Sequence, residues 1–171
     1  FMKRLLRSIR EIELINKFIR IALKFTHLQL ERLFLELQKR WPTYGFIDCE
    51  FKGVKFKMYN QCDDGLIYYF YYGVKYQEDA DLSLFIELSK SSRCALDIGA
   101  NTGLFSIVSS IANSQLMIYA FEPYIVNVNR LKLNLDANNL NNVKIVNEAL
   151  GDKPGNLDIA VPGNQSITSV A

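Results

Sequence analysis

Residues 94–105 read "CALDIGANTGLF". Cys94–Ile98 is a short apolar run of the kind that forms a buried strand, and Leu104 opens a helical pattern that runs to Ala112. Between them stand Asp97, Gly99, Asn101 and Gly103. An acid and two glycines at the end of a core strand have no packing purpose, so the segment predicts a strand, a tight turn and a helix with a ligand at the junction.

The same alternation continues downstream. Leu116–Phe121 is a second apolar strand, Tyr124–Ala137 a helix with Val128, Leu131 and Leu135 at helical spacing, and Val143–Val146 a third strand. "GDKPG" at 151–155 is a turn, and Leu157–Val161 a candidate further strand. The order β-α-β-α-β with short connections predicts a Rossmann-like, doubly wound α/β sheet, covered on both faces. Upstream, residues 79–91 read as a helix with Leu82, Phe85, Ile86 and Leu88 on its apolar side. "FIDCEFKGVKFKMY" alternates about Gly53 and predicts a hairpin. Asp63-Asp64-Gly65 is a turn signal, and the Tyr-rich "LIYYFYYGVKY" reads as strand on propensity. Its Tyr68, Tyr69, Tyr71 and Tyr72 are read as half-buried rings, with a substrate-cleft lining as the alternative.

Residues 2–40 hold no Pro or Gly and predict one long helix, ended by Trp41-Pro42. Its Leu5, Ile9, Ile12, Asn16, Ile19, Leu23, Thr26, Leu30, Leu33 and Leu37 follow a heptad seam. Packing on the rest of the chain, a coiled coil with a second copy, and attachment to an anionic membrane surface all fit that pattern. His27, the single histidine, sits there and is read as structural. The expected organisation is a basic helical segment over 1–41, a β-rich lead-in over 42–78, and a nucleoside-binding unit over 79–171.

A chain of 171 residues, 22% charged and 49% hydrophobic, is globular in composition and suits one ordinary domain. Its net charge of +2 argues against a dedicated nucleic-acid binder. The charge is uneven: residues 1–41 carry ten Lys/Arg against four Glu, a net +6, and residues 42–171 carry a net −4. Cys49, Cys62 and Cys94 form no C-x-x-C pair, so neither a zinc site nor a disulfide framework is expected, and a reducing, cytoplasmic setting fits. No uncharged apolar run is long enough to cross a bilayer, and Glu11, Glu13, Lys17 and Arg20 break any signal-peptide core.

The junction chemistry narrows the ligand. A dinucleotide turn reads G-x-G-x-x-G; here the spacing is D-x-G-x-x-x-G, from Asp97 to Gly103. A carboxylate at the strand end disfavours pyrophosphate, and so does the Asn101 side chain. Both suit a ligand with a cation beside a carboxylate: the ammonium for Asp97, the carboxylate for the free N–H groups of the helix starting near Thr102. The methionine moiety of S-adenosylmethionine is such a pair. Glu122 follows the second strand, nineteen residues past Gly103, where an acid accepts ribose hydroxyls and repels a 2′-phosphate. Glu148 ends the third strand and is a candidate for the adenine amino group, with the Ala149 N–H at the ring edge. Each acid has a plainer reading: Asp97 as a cap of the next helix, Glu122 as an acid at a helix N-terminus, Glu148 as a solvated loop residue.

These residues carry a family resemblance. "ALDIGANTGLFS" (95–106), "YAFEP" (119–123) and "NVKIVNEALGDKPGNLDI" (142–159), with "YQEDADL" (76–82) ahead of them, resemble the FkbM-type S-adenosylmethionine-dependent methyltransferases over roughly residues 76–171. The resemblance implies a class I methyltransferase fold and transfer of a methyl group to a hydroxyl of a sugar, polyketide or related metabolite. It implies that Asp97, Gly99, Ala100, Asn101 and Gly103 hold the methionine part and that Glu122, followed by Pro123, holds the ribose. Residues 1–60 carry no matching motif. In the family a further core strand ending in an acid pairs with the first; none is present by Ala171, which predicts a fragment whose gene continues. An authentic stop codon there would overturn that expectation. No general base stands out, so no catalytic residue is assigned. The competing expectation is a non-catalytic methyltransferase-like module tethered by its N-terminal helix, with a nicotinamide oxidoreductase a distant third.

Overall fold

The computed structural model describes residues 8–26, 41–72, 79–153 and 155. His27, the seam positions outside 8–26, Tyr76–Glu78 and Leu157–Val161 lie outside the described residues.

Helix α1 spans Glu13–Thr26. A separate helical turn at 8–10 precedes it, and the chain breaks at Glu11-Ile12, so the single helix expected over 2–40 is interrupted. Asn16 accounts for the break. Its buried amide donates to the Arg10 and Pro42 carbonyls, both at 3.0 Å, and its Oδ1 accepts the Tyr44 N–H at 3.1 Å. The heptad seam is therefore used within the chain: Asn16 is buried, Ile19 and Leu23 half-buried, and Arg20 lies 4.8 Å from the Tyr71 ring centroid.

Strands β1 (Tyr44–Phe51) and β2 (Val54–Gln61) form the expected hairpin, with Tyr44 opposite Gln61 and Phe51 opposite Val54. Lys52 and Gly53 have φ of 46° and 84°, the pair of positive values that a two-residue primed turn needs. Alternation buries Ile47, Cys49, Phe51, Phe56 and Met58 on one face.

The described part of the Tyr-rich stretch, 66–72, is not a strand. Gly65–Tyr72 is helix α2. Local polar bonds override β-propensity: Asp64 Oδ1 accepts the Leu66 N–H at 2.9 Å as an N-cap, and buried Asn60 Oδ1 accepts the Asp63 and Asp64 N–H groups at 3.3 and 3.1 Å. Helical spacing then turns Ile67 and Phe70 inward, where Phe70 meets the Phe51 and Phe56 rings edge-on at 5.7 Å. Tyr72 is buried and its ring meets Tyr71 at 4.7 Å, an aromatic packing unit.

The βα repeat forms as expected. Helix α3 is Asp79–Ser91, followed by β3 (Cys94–Ile98), α4 (Leu104–Ala112), β4 (Met117–Phe121), α5 (Ile125–Ala137) and β5 (Val143–Val146). The three strands are parallel in the order β3-β4-β5. The described sheet has helices on one face only, where two were expected. Asp97, Ile118 and Ala120 are buried on that face, while Leu96, Ile98 and Met117 on the other are exposed. Successive crossovers that step in one direction and share one hand put their helices on the same side. Leu82, Ile86, Leu104, Ile107, Val108, Leu131 and Leu135 there join Ile47, Phe56 and Met58 of the hairpin in one core. Leu88, expected on the apolar side of α3, is exposed.

The hairpin is not part of the sheet; its β2 edge meets α5 through side-chain amides. Asn134 Oδ1 accepts the Tyr59 N–H at 2.7 Å. Asn138 takes both backbone groups of Lys57, accepting its N–H at 2.8 Å and donating to its carbonyl at 2.7 Å. One helix face thus stands in for a neighbouring strand. Among the described residues no helix is long and apolar enough to cross a membrane.

Candidate functional site

The three parallel strands deliver the loops after β3, β4 and β5 to one end of the sheet. The first loop is shaped by backbone. Gly99, Asn101 and Gly103 have φ of 76°, 50° and 94°. A Cβ at Gly103 would collide with Leu131 Cδ1, so the loop packs on α5 only because that position is glycine. The Gly99 and Ala100 N–H groups both donate to the Phe121 carbonyl at 2.9 Å, which fastens the loop to the end of β4.

Asp97 is 8% exposed. Its Oδ2 accepts the Ser106 N–H at 3.1 Å and the Ser106 hydroxyl at 2.5 Å. The plainer reading of Asp97 as a cap of the following helix is thus present, and α4 begins at Leu104, where the helical pattern of the sequence opens. Both hydrogen bonds fall on Oδ2, so Oδ1 is left for another donor. Burial pushes the Asp97 carboxyl above the ordinary carboxylate range, the two Ser106 bonds oppose this, and the nearby Glu122 charge adds to it.

Glu122 is 1% exposed. Its Oε2 accepts the Asn101 N–H at 2.8 Å, and its Oε1 accepts the Tyr124 N–H at 3.0 Å and the Asn127 amide at 3.3 Å. Three of about four carboxylate acceptor directions are occupied, so Glu122 clips the glycine loop and serves the start of α5 at once. Pro123 sits beside it, and Asn147 donates to the Glu122 and Pro123 carbonyls at 2.9 and 3.0 Å. Asp97, Gly99, Ala100, Asn101, Gly103, Glu122 and Pro123 therefore form one connected unit. Glu148 and Ala149 are exposed in the loop after β5, with no hydrogen bond to that unit among the described residues.

Two buried acceptors here lack a donor: Asn101 Oδ1 and Asn127 Oδ1. Asn127 is itself 1% exposed. Neither Asp97 nor Glu122 has a cationic partner among the described residues. This end of the sheet is thus rich in acceptors and negative charge, which is the complement of a ligand bearing hydroxyls and a cation. The described residues hold no cluster of metal-ligating side chains.

Sequence reasoning missed Asn127, whose only sign was an amide one turn into the helix after Glu122. It also missed Asp64 and Arg130. Asp64 Oδ2 accepts the Thr102 hydroxyl at 3.3 Å, which ties the loop before α2 to the glycine loop. Arg130 holds Asp63 with both terminal nitrogens at 3.0 and 2.9 Å, and donates to Gln61 Oε1 at 3.0 Å.

No protein-family model and no curated protein matches the chain. Among solved structures it is similar to a precorrin-6y C5,15-methyltransferase from Geobacter metallireducens GS-15, at TM-score 0.38 and 20% identity, over 43% of this chain and 40% of that one. It is similar to a SAM-dependent methyltransferase from Agrobacterium tumefaciens at TM-score 0.46 and 14% identity, over 61% and 33%. It is also similar to TYW2 of M. jannaschii, solved in complex with AdoMet, at TM-score 0.42 and 18% identity, over 62% and 44%. The chain spans less than half of each of these structures.

Proposed function

We propose that the chain binds S-adenosylmethionine and is the cofactor-binding part, over residues 79–171, of a methyltransferase of the FkbM type that acts on a hydroxyl of a sugar, polyketide or related small molecule. The observation that carries this reading is a pair of buried carboxylates, Asp97 and Glu122, at successive strand ends. They stand beside two acceptors without donors, Asn101 Oδ1 and Asn127 Oδ1. Hydroxyls and an ammonium supply the missing donors and the missing positive charge.

The residues divide the ligand between them. Asp97 Oδ1 takes the ammonium. The first-turn amides of α4, Leu104 and Phe105, take the carboxylate, as helix N-termini do. Glu122, with Asn101 and Asn127 beside it, takes the ribose hydroxyls, and Glu148 with Ala149 faces the adenine. When bound, the cofactor supplies a methyl already activated on a sulfonium. The protein's part is to fix that methyl in line with an acceptor and to keep water out. No side chain of the unit is placed to take the acceptor's proton, so catalytic residues stay unassigned.

Calorimetry with S-adenosylhomocysteine tests it. The wild-type chain is expected to bind, and Asp97→Ala with Glu122→Ala to weaken binding by tenfold or more, about 1.4 kcal/mol at least. Because Glu122 also clips the loop, Glu122→Gln with a circular-dichroism check of folding accompanies the pair. Equal affinity in wild type and the folded double variant would sink the assignment.

A further inference from the structure

Helix α1 turns two polar residues to the protein and leaves three large apolar ones outside. Asn16 is fully buried and Arg20 is 3% exposed. Leu14 is 69% exposed, Phe18 72% and Ile21 40%. Positions 14, 18 and 21 lie at i, i+4 and i+7, so they form one stripe on one helix face. The exposed Lys17 flanks the stripe, and Lys24, two turns further along the same side, lies 4.8 Å from the Tyr71 ring centroid.

We propose that this stripe is a docking face for an anionic membrane surface, on which α1 lies parallel to the plane of the bilayer. Two observations favour lipid over a second copy of the chain. The first is size. The stripe spans eight residues, 14 to 21, roughly 10 Å of helix axis, whereas a stable protein interface needs on the order of 20 residues a side. The heptad seam that could pair with a second copy is turned to the hairpin side at Asn16, Ile19 and Leu23. A bilayer asks for no such area or shape match; an apolar helix face sinks into the headgroup boundary as it is. The second is charge. Residues 1–26 carry seven Lys/Arg against two Glu, a net +5, while residues 42–171 carry −4. Positive charge concentrated in the sequence segment that carries the apolar stripe complements anionic headgroups. The inference does not depend on the cofactor reading.

Co-sedimentation of the full chain with vesicles tests it, using phosphatidylcholine alone and phosphatidylcholine with about 30 mol% phosphatidylserine. The chain is expected to pellet with the anionic vesicles only, and to be released at about 0.5 M NaCl. Leu14→Asp with Phe18→Asp should weaken the partition constant by roughly tenfold or more. Lys17→Glu, which leaves the stripe intact and touches no packed residue, should weaken it several-fold. Absence of binding, equal binding to both vesicle types, or binding that the double variant leaves unchanged overturns the proposal. A dimer in sedimentation velocity that the double variant dissolves assigns the stripe to a second copy, and also overturns it. If the double variant does not fold, Lys17→Glu decides: unchanged anionic binding refutes the electrostatic half and with it the proposal. S-adenosylhomocysteine affinity is expected to be the same in the Lys17→Glu and wild-type chains, so the outcome here stands apart from that of the cofactor test.

Discussion

Asp97 is held in two opposing ways. Its burial and the neighbouring Glu122 raise its proton affinity, and the two Ser106 bonds lower it, with burial the largest influence. The folded chain therefore keeps the Asp97 proton at pH values where an exposed aspartate has lost it. It follows that this group's contribution to stability falls as pH rises from the unfolded value through the folded one. A cationic ligand needs the ionised form and reverses that preference. Affinity for S-adenosylhomocysteine is expected to be full at about pH 8 and to fall as pH drops through a window that opens above the ordinary aspartate range. Asp97→Asn should lower the affinity at the upper end and flatten the fall, as titration calorimetry at several pH values would register. A profile as steep in Asp97→Asn as in wild type would place the titrating group elsewhere. The positions of Asp97, Gly103 and Glu122 at strand ends were legible in the sequence because an acid or a glycine stands out against the apolar run beside it. Asn127 was not, since an amide in a helix leaves no periodic mark, and its meaning comes only from the carboxylate it reaches.

Among the elements, the strands and helices from Asp79 to Val146 were readable because apolar runs there are short, separated by turns, and change period from two to three or four. Two elements were not. The Tyr-rich run has strand propensity, yet the cap by Asp64 and the burial of Ile67 and Phe70 make it α2. For α1, spacing revealed a heptad seam but not what would pack on it. Asn16 decided that by bonding Pro42 and Tyr44 across more than twenty-five residues, which no local pattern encodes. The joint between α5 and the hairpin is of the same kind. Asn134 is fully buried and bonds the Tyr59 N–H and the Thr102 carbonyl, both long-range. Asn134→Leu keeps the volume and removes both bonds, and should cost about 2–4 kcal/mol. Urea unfolding would show it as a lower midpoint at unchanged slope; a loss under about 0.5 kcal/mol would mean that the amide pairing holds nothing.

At the scale of the whole molecule, the described sheet has one apolar face packed and one exposed. Leu96 and Ile98 of β3, 54% and 62% exposed, lie on that face, and β3 pairs only with β4 among the described residues. A dye that binds exposed apolar surface should fluoresce with the 171-residue chain, and Leu96→Lys with Ile98→Thr should remove most of that signal while leaving thermal unfolding nearly unchanged. A signal that survives the pair would trace the exposed surface to α1 instead. Packing on the helix side is tied together at Thr102. Its hydroxyl is held by Asp64, ahead of α2, and its carbonyl by Asn134, which also grips β2. The glycine loop is thus bonded at Thr102 to the lead of α2 and, through Asn134, to β2, so a ligand that shifted the loop would load a hairpin it never touches. By reciprocity, a pull on that hairpin would change the grip on such a ligand by the same free energy.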